Sequence, residues 1–376
     1  MIYLDSAATS LQKPPVVARA CSYAISHYAS PGRGGHKPAM DAAAAAFACR
    51  EAAARLFQVP KPEQVVFTNN ATHGLNIAIK ALVRPGGTVV ISGYEHNAVT
   101  RPLHAIPDVT VRVAAGQLFR PEETVEAFRK ALTPEVTAAV FTHVSNVFGM
   151  ILPIQELARL CRERGVPFIL DASQSAGCLP VHLEELGAAF IAMPGHKGLY
   201  GPQGTGGICV RPGITVRPLK SGGSGIHTYL KEHPHEMPTA LEAGTLNGHG
   251  VAGLHAALGF LKETGTDTIH KKEIGLMRRF LDGIKDIPGL KLYGDFSTDQ
   301  RAAVVALNLG TYDSSEVSDE LSFEYGISTR PGAHCAPLMH QSMGTVDQGM
   351  VRFSFSWFNT EEEIDAAVKA LKELAE

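Results

Sequence analysis

The sequence predicts an α/β protein with a large domain built on a mostly parallel central sheet, followed by a smaller C-terminal α+β domain. Two observations lead to this fold class. Nearly continuous apolar runs alternate with amphipathic segments through the first two thirds of the chain, and strands buried on both faces of a parallel sheet have this composition. From about residue 246 the pattern changes to strands and helices of antiparallel, α+β character.

The predicted strands of the large domain are short apolar runs rich in β-branched and aromatic side chains. They cover residues 64–68, 88–92, 109–113, 137–142, 166–170, 188–193 and 207–210. Amphipathic periodicity predicts helices between most of them. These helices cover residues 73–83, 97–105, 121–131 and 153–164, and an alanine-rich helix precedes them at 41–55.

The remainder of the chain begins with segment 211–245, which is rich in Gly and Pro and lacks periodicity. Loops of this length usually serve a site or an interface. Beyond it we predict helices at 248–263, 267–286, 314–324 and 360–374, and strands near 289–292, 303–309, 327–329 and 350–355. We expect residues 1–20 to join the small domain, 21–250 to form the large domain, and 251–376 to form the small domain.

Composition excludes several classes of protein. The 376 residues carry a net charge of −3 without a long basic run, so we expect no nucleic-acid partner. No apolar run is long enough to span a bilayer, and the N-terminus does not resemble a signal peptide. The six cysteines show no metal-type pairing, so we expect no metal and a cytoplasmic location with free, mostly buried thiols.

Polar residues follow five of the predicted strands. They are Thr68-Asn69-Asn70, Glu95-His96-Asn97, Ser145-Asn146, Asp171 and His196-Lys197. Ligands of open α/β sheets bind outside the carboxyl ends of the strands, where these residues would converge. Taken singly, Asn146 is equally explained as a turn residue, Asp171 as a cap and Lys197 as a solvated loop charge.

A lysine, an acid and an amide at neighbouring strand ends suit a carbonyl cofactor that contains a ring nitrogen. Lys197 would hold the aldehyde as an imine, and Asp171 would keep the ring nitrogen protonated. His96 would stack on the ring or move protons, or it would only cap a helix. Thr72 begins a predicted helix and is either an ordinary N-cap or part of a phosphate site.

The C-terminal region holds two further candidates. Cys335 lies in a turn-rich loop directly after His334 and five residues after Arg330, where nearby cationic groups favour a thiolate. The alternative is an incidental loop thiol. Arg352 lies on an apolar strand and shares one face with Ser354 and Ser356. Its guanidinium suits a substrate carboxylate, or else it forms a structural ion pair.

At these residues the chain resembles the class V aminotransferases of pyridoxal-phosphate (PLP) fold type I. Within that family it resembles the NifS-like, SUF-type (group II) cysteine desulfurases and selenocysteine lyases. The resemblance covers essentially the whole chain. It rests on YLDSAAT at 3–9, EHNA at 95–98, HVSNVFG at 143–149, DASQSAG at 171–177, GHKGLYGPQG at 195–204, EAGTLN at 242–247, RPGAHCA at 330–336 and VRFSFSWFNTEEEID at 351–365.

The resemblance implies a role for each matching residue. Lys197 resembles the lysine that forms the imine with PLP, Asp171 the partner of the ring nitrogen, and His96 the stacking base. Cys335 resembles the nucleophile that accepts sulfur as a persulfide. The implied activity converts L-cysteine to L-alanine, and the implied partners are a second copy of the chain and a sulfur-acceptor protein.

Other matching positions imply binding roles. Gln174 resembles the residue that hydrogen-bonds the ring hydroxyl, and Asn146 a contact to cofactor or substrate. Residues at the cofactor phosphate are implied at Ala71, Thr72 and His196, with Thr245 donated by the other subunit of a dimer. Arg352 resembles the clamp of the substrate carboxylate, and Ala7, Arg33 and Arg330 are further implied substrate contacts.

Four departures from the family pattern stand out. Pro194 replaces a serine two positions before the histidine of the lysine motif, and Ala71 replaces a common hydroxyl residue. Gly198 is an extra residue after the lysine, and a single histidine, His334, precedes the cysteine where two are common. The alternatives left open are a selenocysteine lyase that depends less on Cys335, another class V activity, and a non-catalytic scaffold.

Overall fold

The structure is a computed structural model that describes residues 1–32 and 34–376. The strands are β1 Ile2–Tyr3, β2 Val65–Thr68, β3 Thr88–Ser92, β4 Thr110–Ala114, β5 Val136–Thr142, β6 Phe168–Asp171, β7 Phe190–Pro194, β8 Gly206–Val210, β9 Leu290–Tyr293, β10 Val304–Leu309, β11 Ile327–Ser328 and β12 Val351–Ser354. All strands predicted from the sequence are present, and β1 is additional.

The helices are α1 Pro15–His27, α2 Lys37–Leu56, α3 Ala71–Leu82, α4 Asn97–His104, α5 Pro121–Ala131, α6 Ile154–Glu163, α7 Leu183–Leu186, α8 Gly248–Thr264, α9 Thr266–Ile284, α10 Ser314–Phe323, α11 Pro337–Met343 and α12 Glu361–Leu374. Short 3₁₀ helices occur at Pro62–Gln64 and Thr239–Leu241. The sequence pattern missed α1, the one-turn helix α7, and α11, which lies inside the region predicted as a turn-rich loop.

The central sheet has seven strands in the order β2-β8-β7-β6-β5-β3-β4. Pairings from β7 through β6, β5 and β3 to β4 are parallel, and β8 alone runs antiparallel to its neighbours β7 and β2. The predicted, mostly parallel sheet is therefore confirmed. Strands β6 and β7 are buried along their whole length because helices cover both faces of the sheet.

A second sheet in the C-terminal region is antiparallel and has the order β12-β10-β9. The N-terminus adds to this region, because β1 pairs in parallel with β11 and Asp5 bridges to Ser354 of β12. This arrangement places the segment that follows β1 between the small sheet and the large domain. It also brings Asp5 and Ala7 to the carboxyl ends of the central strands.

The boundary between the domains was expected at residue 250, and the packing of α8 supports a later one. This helix packs against α1 and α2, and its buried side chains Val251, Leu254 and Leu258 belong to the core of the large domain. Helix α9 instead packs on α12 and contributes to the core of the small domain. We therefore propose that the small domain begins near Gly265, between α8 and α9.

Among the helices that the structure describes, none is both long and apolar enough to cross a membrane. All six cysteines lie in described segments and are free thiols. Three of them, Cys49, Cys161 and Cys209, are buried, whereas Cys335 is exposed. Burial raises the pKa of each buried thiol well above its ordinary value, so these three are unreactive core residues.

Candidate active site

A cavity of about 190 Å³ lies at the carboxyl ends of β5, β6 and β7. It is lined by Asn70, Ala71, Thr72, His96, Ala98, Thr142, Val144, Asn146, Asp171, Ser173, Gln174, Pro194, His196 and Lys197. Residues from all five predicted strand ends therefore surround one space, as the topology of a parallel sheet requires. Asn70, Thr142 and Ser173 are lining residues to which the sequence analysis gave no role.

Lys197 lies three residues beyond the end of β7 and is partly buried. Burial lowers the pKa of its amine from 10.5 to about 8; Asp171 opposes this shift, whereas Arg352 and Arg330 add to it. A lysine with a destabilised ammonium supplies the neutral amine that attacks an aldehyde. Lys197 is thus not the fully solvated loop charge of the alternative interpretation.

Asp171 ends β6 and is only 2% exposed. Its backbone is held between β5 and β7, where it pairs with Thr142 and Ala192. Its Oδ1 accepts hydrogen bonds from the N–H of Ser173, at 2.9 Å, and from the Ser173 hydroxyl. The side chain therefore does form the turn contact of the alternative interpretation, and it also presents a buried carboxylate to the cavity that contains Lys197.

His96 caps helix α4, because the N–H of Ala98 donates a 2.9 Å hydrogen bond to its Nδ1. The capping interpretation is confirmed, and the ring also lines the cavity. Burial lowers the pKa of His96 to about 4, so the ring is neutral near pH 7. Since Nδ1 is the acceptor of the cap, the ring proton resides on Nε2. His96 can stack on a flat ligand and donate from Nε2.

Helix α3 points its N-terminus at the cavity. Its N-cap is Asn70, whose side chain accepts a 2.8 Å hydrogen bond from the N–H of His73. The interpretation of Thr72 as the N-cap is therefore wrong. Ala71 and Thr72 occupy the first turn, where backbone N–H groups have no partner within the helix and favour an anion.

His196 is held by the N-terminal segment rather than by its own loop. Its Nδ1 lies 3.0 Å from the hydroxyl of Thr9, and its carbonyl accepts hydrogen bonds from the N–H and hydroxyl of Ser10. Burial lowers the pKa of His196 to about 4, with Lys197 and Lys13 contributing. The ring is therefore a neutral hydrogen-bonding group on the cavity wall. Pro194, which has no hydroxyl, lines the same cavity.

Gln174 connects the cavity to the N-terminal segment. Its Nε2 donates a 2.9 Å hydrogen bond to the carbonyl of Ala7, and the N–H of Ala7 donates to the hydroxyl of Ser354 on β12. Ala7 is thus fixed between a cavity residue and the small sheet. This chain of contacts holds the amide of Gln174 in place before any ligand binds.

Arg352 on β12 is 2% exposed and already has protein partners. Its guanidinium donates to the carboxylate of Asp5 at 2.7 Å and to the carbonyl of Asn146 at 2.9 Å, while its buried Nε has no partner among the described residues. The ion-pair interpretation of Arg352 is confirmed. A substrate carboxylate would have to share this guanidinium with Asp5, whose role the sequence analysis missed although it belongs to the YLDSAAT motif.

Arg330 pairs with Arg352 through an antiparallel bridge between their backbones. Its side chain is half-buried, and its positive charge contributes to the lowered pKa values of Lys197 and His96. The guanidinium of Arg330 is therefore close enough to the cavity for its charge to act on Lys197 and His96. Together with Arg352 it makes this side of the site attractive to a carboxylate.

The loop that carries Cys335 is attached to the cavity wall by its backbone. The carbonyl of Cys335 accepts a 2.8 Å hydrogen bond from the N–H of Asn97, and the carbonyl of His334 accepts one from Asn146, also at 2.8 Å. Both residues have left-handed backbone angles, φ 52° for His334 and 56° for Cys335. The turn buries His334 and turns the side chain of Cys335 out to solvent.

His334 is locked in the interior by two contacts. One ring nitrogen lies 3.0 Å from the carbonyl of Arg330, and the other lies 3.3 Å from His340 of α11. Burial lowers the pKa of His334 well below its ordinary value, so the ring is neutral. His334 therefore holds the shape of the loop and supplies no positive charge to Cys335.

Glu95 is a fully buried acid behind the cavity. Its Oε1 accepts hydrogen bonds from the hydroxyl of Ser92 and from the N–H of Thr142, and its Oε2 has no partner among the described residues. Burial raises the pKa of Glu95 from 4.5 to about 8, and the charge of Asp171 adds to this shift. Near pH 7 Glu95 is thus a neutral acid.

We expect the Glu95→Gln variant to lose less stability than the wild type as the pH rises from about 5 to about 8. In that range folded wild type retains a proton that the unfolded chain has released, so its free energy of unfolding falls by at most about 1.4 kcal/mol per pH unit. Glutamine has no such proton. Denaturant midpoints of both proteins across this range test the prediction, and parallel pH dependences would contradict it.

The extra glycine of the lysine motif has a steric reason. A Cβ on Gly198 would lie 2.6 Å from the carbonyl oxygen of Ala176 and 2.8 Å from the Sγ of Cys178. The neighbouring backbone therefore passes too closely for any side chain. The close packing of Gly198 against Ala176 and Cys178 fixes the position of the backbone directly after Lys197.

We expect Gly198→Ala to destabilise the protein by about 1–3 kcal/mol, because backbone must move to relieve the clash. Gly259→Ala is the matched control: it lies in α8, its Cβ would meet nothing within 4 Å, and helix propensity favours alanine. Thermal and denaturant unfolding of both variants make the comparison. Equal stability of Gly198→Ala and the wild type would disprove the steric explanation.

The structure does not place Thr245 on the wall of the Lys197 cavity. Thr245 is exposed and lines a different cavity of about 230 Å³, together with His73 and Lys220. Thr245 does not line the cavity of Lys197 in its own chain, and its implied role belongs to the cavity of a second subunit. Arg33 lies outside the described residues.

The residues around the cavity fit pyridoxal phosphate. A partly buried amine and a buried carboxylate provide for an aldehyde and a protonated ring nitrogen, and a neutral imidazole lines the same wall. The first turn of α3 offers N–H groups to a phosphate. The loss of a hydroxyl at Pro194 removes one phosphate donor without removing the helix terminus.

The fold and the cavity define a PLP-dependent enzyme of fold type I. The chain belongs to the class V aminotransferase family, because the family described as Aminotransferase class-V matches residues 2–367. Members of this family depend on PLP. The resemblance inferred from the motifs is therefore confirmed.

Relatives with known names agree with this assignment. The chain is 35% identical over 390 residues to a cysteine desulfurase from Klebsiella pneumoniae subsp. pneumoniae, an alignment that covers 100% of this chain and 93% of the relative. It is 32% identical over 389 residues to a cysteine desulfurase from Escherichia coli O139:H28, with coverage of 100% and 93%.

Two solved structures are similar over nearly the whole chain. The apo structure of a cysteine desulfurase from Thermococcus onnurineus NA1 gives a TM-score of 0.92 at 28% identity and covers 100% of this chain and 94% of that one. The S-sulfonic acid form of the cysteine desulfurase CsdA from Escherichia coli gives 0.88 at 26% identity, with coverage of 99% and 94%. Both similarities support the fold type I assignment.

Proposed function

We propose that this protein is a PLP-dependent cysteine desulfurase that converts L-cysteine to L-alanine and receives the sulfur on Cys335 as a persulfide. The observation that carries the proposal is the exposed Cys335 thiol on a loop whose backbone is bonded to Asn97 and Asn146, at the wall of the Lys197 cavity. The named relatives support the same reaction. They do not favour the selenocysteine lyase alternative.

When bound, PLP supplies an electron sink that stabilises negative charge developing on the substrate carbons. The protein provides the remaining functions. Lys197, with its lowered pKa, takes up and returns protons at Nζ, and Asp171 holds the proton of the ring nitrogen. The first turn of α3 and His196 would bind the phosphate, His96 would cover the ring, and Gln174 would contact the ring hydroxyl.

The substrate carboxylate binds beside the two guanidinium groups of Arg352 and Arg330, near Ala7 and Asn146. The Cys335 thiolate then attacks the substrate sulfur. A new S–S bond forms as the substrate C–S bond breaks, and the electron pair of that bond remains with the carbon. A proton completes the methyl group of L-alanine, and an acceptor thiol later removes the sulfur from Cys335.

A dimer completes the site in this proposal. Thr245 would reach the partner's cavity, which explains why it is exposed within a single chain. The resemblance implies the same for Arg33, which lies outside the described residues. The long segment 211–245 displays large apolar side chains to solvent, including a fully exposed Tyr229 and a mostly exposed Leu230. Such side chains are typical of a surface that a partner covers. The free thiols support a cytoplasmic location.

The test is a product assay on purified protein with L-cysteine and with L-selenocysteine. We expect L-alanine and sulfide, with sulfur retained on Cys335 when no acceptor thiol is added. A keto acid or a racemised amino acid without sulfide would identify another class V activity. Selenide release without turnover of L-cysteine would identify a selenocysteine lyase.

A further inference from the structure

A second, smaller cavity of about 40 Å³ lies against Lys197. Its polar lining includes Gln174, Cys178, Lys197, Tyr200, His270 and Glu273, together with several serine hydroxyls. Lys197 and Gln174 line both this chamber and the larger cavity. The lysine side chain therefore stands between the proposed cofactor site and a separate polar chamber.

Glu273 of α9 is the acid of this chamber and is 6% exposed. Its Oε1 accepts hydrogen bonds from the hydroxyl of Tyr200 at 3.0 Å and from the N–H of Trp357 at 3.1 Å, and the thiol of Cys178 donates to the same carboxyl group. These contacts fix the carboxyl group by three different segments. Among the described residues that line the chamber, it is the only carboxylate.

The chamber is suited to water. A space of a few tens of Å³ holds one to a few water molecules, and such water persists where several polar groups surround it. Serine hydroxyls, the Gln174 amide and the Glu273 carboxyl supply donors and acceptors on its walls. Hydrogen-bonded water between two titratable groups carries protons from one to the other.

The charges around Glu273 allow it to exchange a proton near neutral pH. Burial raises the pKa of Glu273 to about 7, whereas hydrogen bonds and the charge of Lys272 oppose the shift. The facing groups Cys178 and Tyr200 have pKa values raised well above their ordinary values, and burial lowers the pKa of His270, so all three stay neutral. Lys197, with a pKa of about 8, is the remaining titrating partner.

We propose that Glu273 exchanges protons with the amine of Lys197 through water in this chamber, acting as the proton reservoir of the lysine. The proton passes from the ammonium of Lys197 to water and from water to the carboxylate of Glu273, and it returns by the same path. Nothing is oxidised or reduced. This inference rests on the part of the proposed function that assigns proton transfer to Lys197, and does not depend on the sulfur chemistry.

The experiment follows the exchange of the α-proton of L-alanine for deuterium in heavy water, measured by NMR with the holoenzyme. We expect Glu273→Gln to slow this exchange about a hundredfold and to remove its dependence on pH between about 6 and 8. Glutamine keeps the shape and the acceptor oxygen for Tyr200 and Trp357. Glu263→Gln, an exposed change on α8, is the matched control and should behave as the wild type.

One further readout separates proton transfer from a merely structural role. Borohydride reduction should still place the pyridoxyl group on Lys197 of Glu273→Gln, at the wild-type yield. Exchange at the wild-type rate and pH dependence in that variant would overturn the inference. If the wild type exchanges the alanine proton but releases no sulfide from L-cysteine, the desulfurase proposal fails while the reservoir remains supported.

Should Glu273→Gln fail to fold, the Glu95→Gln variant provides a second test. It lacks Glu95, the other carboxyl group whose pKa burial raises, so its infrared band of protonated carboxyl reports Glu273. We expect this band to disappear between about pH 6 and pH 8 with the same midpoint as the exchange rate. A band that is constant over this range would overturn the inference.

Discussion

Replacing Lys197 by alanine is expected to reduce the release of sulfide from L-cysteine by about a thousandfold or more, the largest effect of any single change. The variant loses the amine that binds the cofactor aldehyde and that moves protons at its Nζ. It should also lose the yellow absorbance of the holoenzyme. Because Lys197 is partly buried and forms no ion pair with another described residue, the fold should persist.

The control for Lys197→Ala is Lys262→Ala, which removes an exposed lysine from α8. This variant should retain the absorbance and the activity. Borohydride reduction of the wild type, followed by peptide mapping, should place the pyridoxyl group on Lys197. A reducible yellow adduct in Lys197→Ala, located on another residue, would show that the assignment of the lysine is incorrect.

Replacing Cys335 by alanine is expected to reduce turnover of L-cysteine by about a hundredfold or more while leaving the cofactor in place. The thiol is exposed and its side chain makes no contact that supports the core, so folding should be unaffected. Cysteine and alanine both carry a Cβ and are equally disfavoured by the left-handed backbone at φ 56°. The substitution therefore removes the nucleophile without changing the backbone strain. Sulfide and L-alanine are measured together.

L-selenocysteine distinguishes the two activities of the family in the same variant. A selenol is more acidic and leaves more readily than a thiol, so its release depends less on an attacking cysteine. Cys335→Ala should therefore lose far less activity on L-selenocysteine than on L-cysteine. The control Cys21→Ala removes a partly buried thiol of α1 and should match the wild type. Unimpaired L-cysteine turnover by Cys335→Ala would exclude the persulfide mechanism.

Much of the fold could be predicted because each central strand has a recognisable local sequence. The run that ends at Asp171 is apolar throughout, as burial on both faces of the sheet demands. Helix α11 could not be recognised, since seven residues that include Pro337 and two residues of low helix preference carry little periodicity. It forms because Met339 and His340 pack into the interior beside the Cys335 loop.

The candidate site was predictable to the extent that topology alone brings residues together. The carboxyl ends of parallel strands share one edge, so Asn146, Asp171 and Lys197 had to converge. The N-cap of α3 was misplaced by two residues, because Asn70 and Thr72 are both good capping residues and only the actual backbone geometry distinguishes them.

By itself, the sequence determined the class of sheet, the strand-end residues and the motifs that mark the family. Only the tertiary structure decided which of these groups are charged and which already have partners. It buried Glu95 and Glu273, which raises the pKa values of both carboxyl groups. It also paired Arg352 with Asp5 and left Cys335 exposed. Charge depends on desolvation and on neighbours distant in the chain, and a linear pattern contains neither.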